Sequence, residues 1–138
     1  MVALILALAA AQAAAAAPGT GARPAGDSGL PTMTDAEFCE GGQTAVLALQ
    51  ATYPRQVDAI ARIETVAIDC PARTMEWNGS VALNVAEMRA GWMAERQSAW
   101  NAASCRGAVL VAARLGWHFR QTYRFKDGAL SSIDAACP

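Results

Sequence analysis

Four cysteines, one histidine and two aspartates beside cysteines are the side chains of this sequence whose types and placement could carry covalent or acid–base chemistry. Cys39 and Cys70 stand 31 positions apart, and Cys105 and Cys137 stand 32 apart. No pair has the CxxC spacing of a redox or zinc site. An even count without that spacing predicts structural disulfides and an oxidising compartment. The connectivity has a hint in the flanking residues. Cys39-Glu40-Gly41 and Cys105-Arg106-Gly107 each lead into an apolar helical run that ends near Leu49 or Leu115. Ile68-Asp69-Cys70-Pro71 and Ile133-Asp134-Ala135-Ala136-Cys137-Pro138 each end on a cysteine before proline. The pattern reads as two copies of a helix-plus-hairpin unit, each closing its own bridge, Cys39–Cys70 and Cys105–Cys137. Chance similarity in an alanine-rich chain is the alternative.

His118 is the only histidine, and it lies among arginines. No Ser-His-Asp set has supporting spacing, so His118 is expected to be a solvated strand residue rather than a base. Asp69 and Asp134 occupy similar places before the second cysteines. Paired carboxylates can do acid–base work, but aspartate also serves turns and strand ends, which is the preferred reading. With the cysteines oxidised, no ligand set for a metal remains, and no cofactor is expected.

The basic residues of the last hairpin form the best candidate surface. Arg114, His118, Arg120, Arg124 and Lys126 come before any acidic residue of that stretch. They could bind an anionic polymer, an acidic protein surface or lipid headgroups. An ordinary polar strand face is the competing account.

The elements that must position these residues follow from period and punctuation. Thr34-Asp35-Ala36-Glu37 is a capping box for a helix carrying Phe38, Ala45, Leu49 and Tyr53 on one face, stopped by Pro54. Gly41 and Gly42 weaken that helix unless a backbone or the disulfide lies close. Val57 to Ala61 suits a helical turn, Glu64 to Cys70 a strand with Val66 and Ile68 on one side, and Arg73 to Trp77 a second extended piece. Asn78-Gly79 signals a hairpin turn or the lead into a helix. Beside it, Trp77 is expected to be the most exposed tryptophan. Asn84-Val85-Ala86-Glu87 predicts the start of one long helix towards Ala103, with Met88, Trp92, Ala99 and Ala103 as its apolar stripe, Trp100 at its edge, and Glu95 and Arg96 outside. A further helix spans Cys105 to Leu115 and stops at Gly116. Trp117 to Phe125 is the clearest strand, with Trp117, Phe119, Tyr123 and Phe125 inward and Arg120 and Arg124 outward. Lys126-Asp127-Gly128 turns into a partner strand over Ala129 to Cys137. The expected fold is α+β, a small antiparallel sheet with helices on one face.

One short stretch invites a family comparison. Gln97-Ser98-Ala99-Trp100 followed by Cys105 resembles a stretch of small periplasmic lysozyme-inhibitor-like proteins. That family carries an arginine between the Trp and the Cys, and none stands here, so the resemblance transfers no function.

At the N-terminus, Val2 to Ala11 is an unbroken apolar run followed by alanines, which reads as a signal peptide over residues 1–17. It is too short for a bilayer-spanning helix, so no transmembrane anchor is expected after cleavage. Residues 18–31 read as a disordered linker, and 32–138 as a single disulfide-bonded domain. With 11 basic and 12 acidic residues the net charge is −1, which argues against general nucleic-acid binding. The sequence thus predicts a periplasmic or secreted, non-enzymatic binding or accessory domain, inhibitor-like or immunity-like, whose partner is an envelope or secreted macromolecule. A small envelope hydrolase using Asp69, Asp134 or His118, and a purely structural exported domain, are the alternatives.

Overall fold

The computed structural model describes residues 32–138; the expected leader (1–17) and linker (18–31) lie outside the described residues. Helix α1 spans Asp35–Gln50. Its capping box forms as the sequence requires, with the Glu37 N–H donating to Thr34 Oγ1 at 3.2 Å and the Thr34 N–H to Glu37 Oε2 at 2.8 Å. Phe38, Gly42, Ala45 and Leu49 form its buried stripe. Gly42 is there for closeness: a Cβ would stand 2.5 Å from the Ile68 Cδ1 atom. The neighbour is therefore a strand side chain, not the backbone or bridge that the two glycines suggested.

Five strands follow: β1 Arg55–Gln56, β2 Ala61–Asp69, β3 Thr74–Val81, β4 His118–Arg124 and β5 Leu130–Asp134, paired in that order. Residues Val57 to Ile60 form a bend that returns β1 into β2, and Ala61 already opens that strand, so the expected helical turn is absent there. β2 carries a bulge between Ile63 and Thr65. The extra residue shifts the phase, so Ala61 and Ile63 face the core before it and Val66 and Ile68 after it.

The sheet is mixed rather than wholly antiparallel. β3 and β4 run parallel, from Thr74 opposite His118 to Ser80 opposite Arg124. Parallel neighbours need a long crossover. The crossover holds a 3₁₀ turn at Val85–Glu87, helix α2 at Trp92–Ser104 and helix α3 at Gly107–Arg114. The Asn78-Gly79 turn expectation fails for a packing reason. Both residues lie inside β3, where a Cβ on Gly79 would meet the Arg62 carbonyl oxygen at 2.7 Å and the Tyr123 ring at 3.0 Å. This glycine makes room for a neighbouring strand and a ring; it does not turn the chain.

Trp77 on the same strand is buried, not exposed, and meets Trp100 edge-to-face at 4.9 Å. The Asn84 box caps only the 3₁₀ turn, because the chain then passes through Gly91 in the left-handed region before α2 begins. The inward stripe of α2 is Trp92, Trp100 and Ser104. Ala99 is exposed, and Arg96, expected outside, is half-buried between the two tryptophans. α3 stops before Gly116, which has φ +92°.

Both bridges form as expected, with Cα–Cα distances of 5.7 Å for Cys39–Cys70 and 5.1 Å for Cys105–Cys137. The first ties α1 to the end of β2, and the second ties the α2–α3 junction to the segment after β5. Each stretch between paired cysteines holds an antiparallel strand pair. The order differs in one respect: Cys39 lies inside α1, whereas Cys105 precedes α3.

Candidate binding face

β4 puts its side chains on two unlike surfaces. Phe119, Gln121 and Tyr123 point into the core with the flanking Trp117 and Phe125. Gln121 broke the expected aromatic row, yet it is buried and accepts a hydrogen bond from the Tyr123 hydroxyl at 2.8 Å. The hydroxyl thereby avoids an unpaired buried donor. The aromatic surface is sealed by the helices. Phe38 of α1 lies 4.7 Å from Trp117 and 5.7 Å from Phe119, and Trp92 of α2 lies 5.3 Å from Tyr123, all edge-to-face. Three tryptophan indoles are held by acceptors: Asp58 Oδ2 for Trp92, the Phe119 carbonyl for Trp100 and Asp35 Oδ1 for Trp117.

The other surface of the sheet carries none of the described helices, since α1, α2 and α3 pack on the aromatic side. Its rows run across the strands, and their chemistry is balanced rather than uniformly basic. Arg120 stands between Glu76 on β3 and Asp134 on β5. Its guanidinium donates to both carboxylate oxygens of Asp134, at 2.9 and 3.2 Å. That bond, with the charges of Asp134 and Glu76, holds the Arg120 proton still more firmly than usual. One row along, Thr122 donates to Glu76 Oε1 at 2.7 Å and shares a hydrogen bond with Ser132 at 2.8 Å. Glu64 on β2 accepts from Ser80 on β3 and from Arg62 on its own strand, at 2.7 and 2.6 Å. These two bonds, Ser80 first, lower the Glu64 carboxyl from its ordinary value.

The basic set named from sequence is therefore divided in space. Arg124 and Lys126 sit exposed at one end of β4 and its turn, and make no ion pair among the described residues. His118 is exposed at the other end of β4, and Arg114 is exposed in the last turn of α3. Arg120 lies between the two ends, already committed to Asp134. The second carboxylate reading finds no common site. Asp69 accepts the Ala72 N–H at 3.0 Å as a turn cap, and β3 and β4 lie between it and Asp134. Among the described residues, no cluster of histidine, cysteine or acidic side chains could hold a metal ion. No helix of the described residues is long and apolar enough to cross a membrane.

A polar cluster that sequence reading missed sits at the N-terminal end of α2. Asp58 accepts from the Ile60 and Ala61 N–H groups at 2.9 Å each and from the Trp92 indole at 3.0 Å. Burial works against its charge, but these bonds and the nearby Arg96 outweigh it and leave the Asp58 carboxyl below its ordinary value. Burial likewise raises Tyr123, against the opposing pull of Arg96. A signal for this cluster was available in Asp58 three residues before the strand β2, a loop-capping position; its tryptophan partner, 34 positions away, was not.

No protein-family model matches the chain, and no curated protein matches it. Solved structures do share its fold. A Pseudomonas aeruginosa protein described as secreted superposes with a TM-score of 0.56 at 13% identity, over 75% of this chain and 93% of that one. The pilotin of the Vibrio vulnificus type 2 secretion system superposes with a TM-score of 0.54 at 16% identity, over 72% of this chain and 86% of that one. At these identities the likeness is one of fold.

Proposed function

We propose that this chain is exported to an oxidising compartment, periplasmic or extracellular, and works there as a non-enzymatic accessory domain that binds another envelope or secreted macromolecule. The observation that carries the reading is the asymmetry of the sheet: a sealed aromatic side, stapled by two bridges, and a broad polar side that no helix among the described residues covers. The bridges and the apolar N-terminal run support export. The shared fold with a secretion-system pilotin and a protein described as secreted supports an accessory role. The proposed contact residues on and beside that side are His118, Arg120, Arg124 and Lys126; Arg114, the remaining basic residue of the set, belongs to the helix layer and would contribute only from the His118 end. Arg124 and Lys126 form its strongest end, because their charges are not spent on a neighbour.

The test replaces Arg124 and Lys126 by glutamate in the full chain and compares both proteins for capture of envelope components. Loss of a specifically captured partner with an unchanged melting temperature supports the binding face. Equal capture by both proteins removes these residues from the reading. Export has its own check: thiol titration of unfolded, unreduced protein taken from its native compartment should find no free thiol, and recovery of two or more would overturn it.

A further inference from the structure

Both edges of the sheet end against carboxamides supplied by helices. At the β2 edge, β1 covers only two residues. Beyond it the side chain of Gln50, the last residue of α1, takes over. Its Nε2 donates to the Glu64 carbonyl at 3.4 Å, and its Oε1 accepts from the Val66 N–H at 3.0 Å. At the β5 edge, Gln97 Nε2 donates to the Asp134 carbonyl at 2.7 Å and Asn101 Oδ1 accepts from the Ala136 N–H at 2.9 Å. Gln97 Nε2 also donates to Asn101 Oδ1 at 2.8 Å, which joins the two amides into one unit on adjacent turns of α2.

The two edges are treated alike. In each, the groups engaged are the carbonyl of one residue and the N–H of the residue two further on. Those are the groups that a single residue of a parallel neighbouring strand would engage. A peptide and a carboxamide present the same donor and acceptor, so the side chains stand in for one residue of an added strand.

We infer that Gln50 and the Gln97–Asn101 pair are edge guards, which keep the sheet from adding an extended segment of a second copy of this chain. The hazard is built into the fold. The Phe125 N–H bonds the Ala129 carbonyl and the Ala135 N–H bonds the Phe119 carbonyl, so the odd-numbered residues of β5 face β4. Leu130, Ser132 and Asp134 consequently turn their backbone groups outward, and Leu130 is 57% exposed beside them. An exposed edge with an apolar neighbour is a template for pairing. Strand addition needs several consecutive bonds, and the guard on Asp134 and Ala136 leaves only Leu130 and Ser132 ahead of it. This goes beyond the binding reading and restricts it: partners are met by the open face, not by the edges.

The test uses the full exported chain with both bridges intact. Gln50→Ala opens one edge, and Gln97→Ala with Asn101→Ala opens the other. Sedimentation equilibrium over about a hundredfold range of concentration reads the outcome. Relative to the unaltered protein, the mass of either variant should climb with concentration toward about twofold, with a native far-UV spectrum. Amide exchange in the unaltered protein is the second measurement, independent of how the variants fold. The Val66 and Ala136 amides should exchange roughly tenfold more slowly than the outward Ser132 amide. Variants that keep the native spectrum and the original mass at every concentration overturn the inference, and so do Val66 and Ala136 amides that exchange as fast as Ser132.

Discussion

The two surfaces of β4 are built by one strand of seven residues, yet they answer to different physics. Inward, Phe119 and Tyr123 are among the largest fully buried side chains described, and each ring is fixed by others. Outward, Arg120, Thr122 and Arg124 keep their contact with water and trade it for bonds to neighbours only in part. Removal from water drives the first surface and sets the register, because a slip of one residue would exchange the two. The second surface contributes little to folding, since exposed ion pairs are nearly balanced by the hydration they give up. Substitutions on the second surface should therefore leave the fold intact.

The largest expected effect lies at Phe119. Phe119→Ala should lower stability by about 3–5 kcal/mol, the usual cost of truncating a buried phenylalanine. Urea denaturation measures it, and a loss below about 1 kcal/mol, the scale of a surface change, would mean the aromatic side does not hold the fold.

Gly79→Ala probes the same side by adding atoms instead of removing them. The new Cβ meets a backbone carbonyl and a ring that is itself packed, so neither can yield cheaply. A loss of about 1–3 kcal/mol is expected. Ser80→Ala, one residue along and facing outward, should lose less. Equal losses at the two positions would contradict the assignment of faces.

Asp58 is a charge enlisted by the covered side. Asp58→Ala should cost about 1–3 kcal/mol at neutral pH by orphaning two backbone N–H groups and an indole. The sign with pH follows from its lowered pKa. The carboxylate stabilises the fold above its unfolded pKa, and that contribution is lost as pH falls through the folded value. The stability gap between the unaltered protein and the variant should therefore shrink in acid. A gap that stays constant from neutral pH down to about pH 2 would show that the charge is irrelevant.

The smallest effects belong to the open surface. Arg124→Ala should change stability by less than about 0.5 kcal/mol, and Arg120→Ala by no more than the modest worth of an exposed pair, up to about 1 kcal/mol. Adding salt should erase most of the Arg120 effect, which thermal melts at two ionic strengths would show.

Some of this architecture is local and was legible in the residues themselves. The Thr34 box, the alternation from Trp117 to Phe125, the Lys126-Asp127-Gly128 turn and the stop at Gly116 each depend on a few consecutive side chains and their own backbone. The bridge pairing was legible through matched spacings and flanking residues. What the sequence could not decide were meetings between distant segments. Asn78-Gly79 carries the same letters whether it bends a hairpin or lets the Tyr123 ring pass, and only the arrival of β4 beside β3 selects the second. The direction of β4 is likewise a property of the crossover through α2 and α3, which strand patterns do not encode. Arg120 has the same place in the sequence with or without Asp134 beside it, so a run of basic residues overstated the charge left for a partner. Gln50, Gln97 and Asn101 look like ordinary polar helix residues until the sheet edges come within reach, because a carboxamide becomes a strand surrogate only where a backbone lies opposite it.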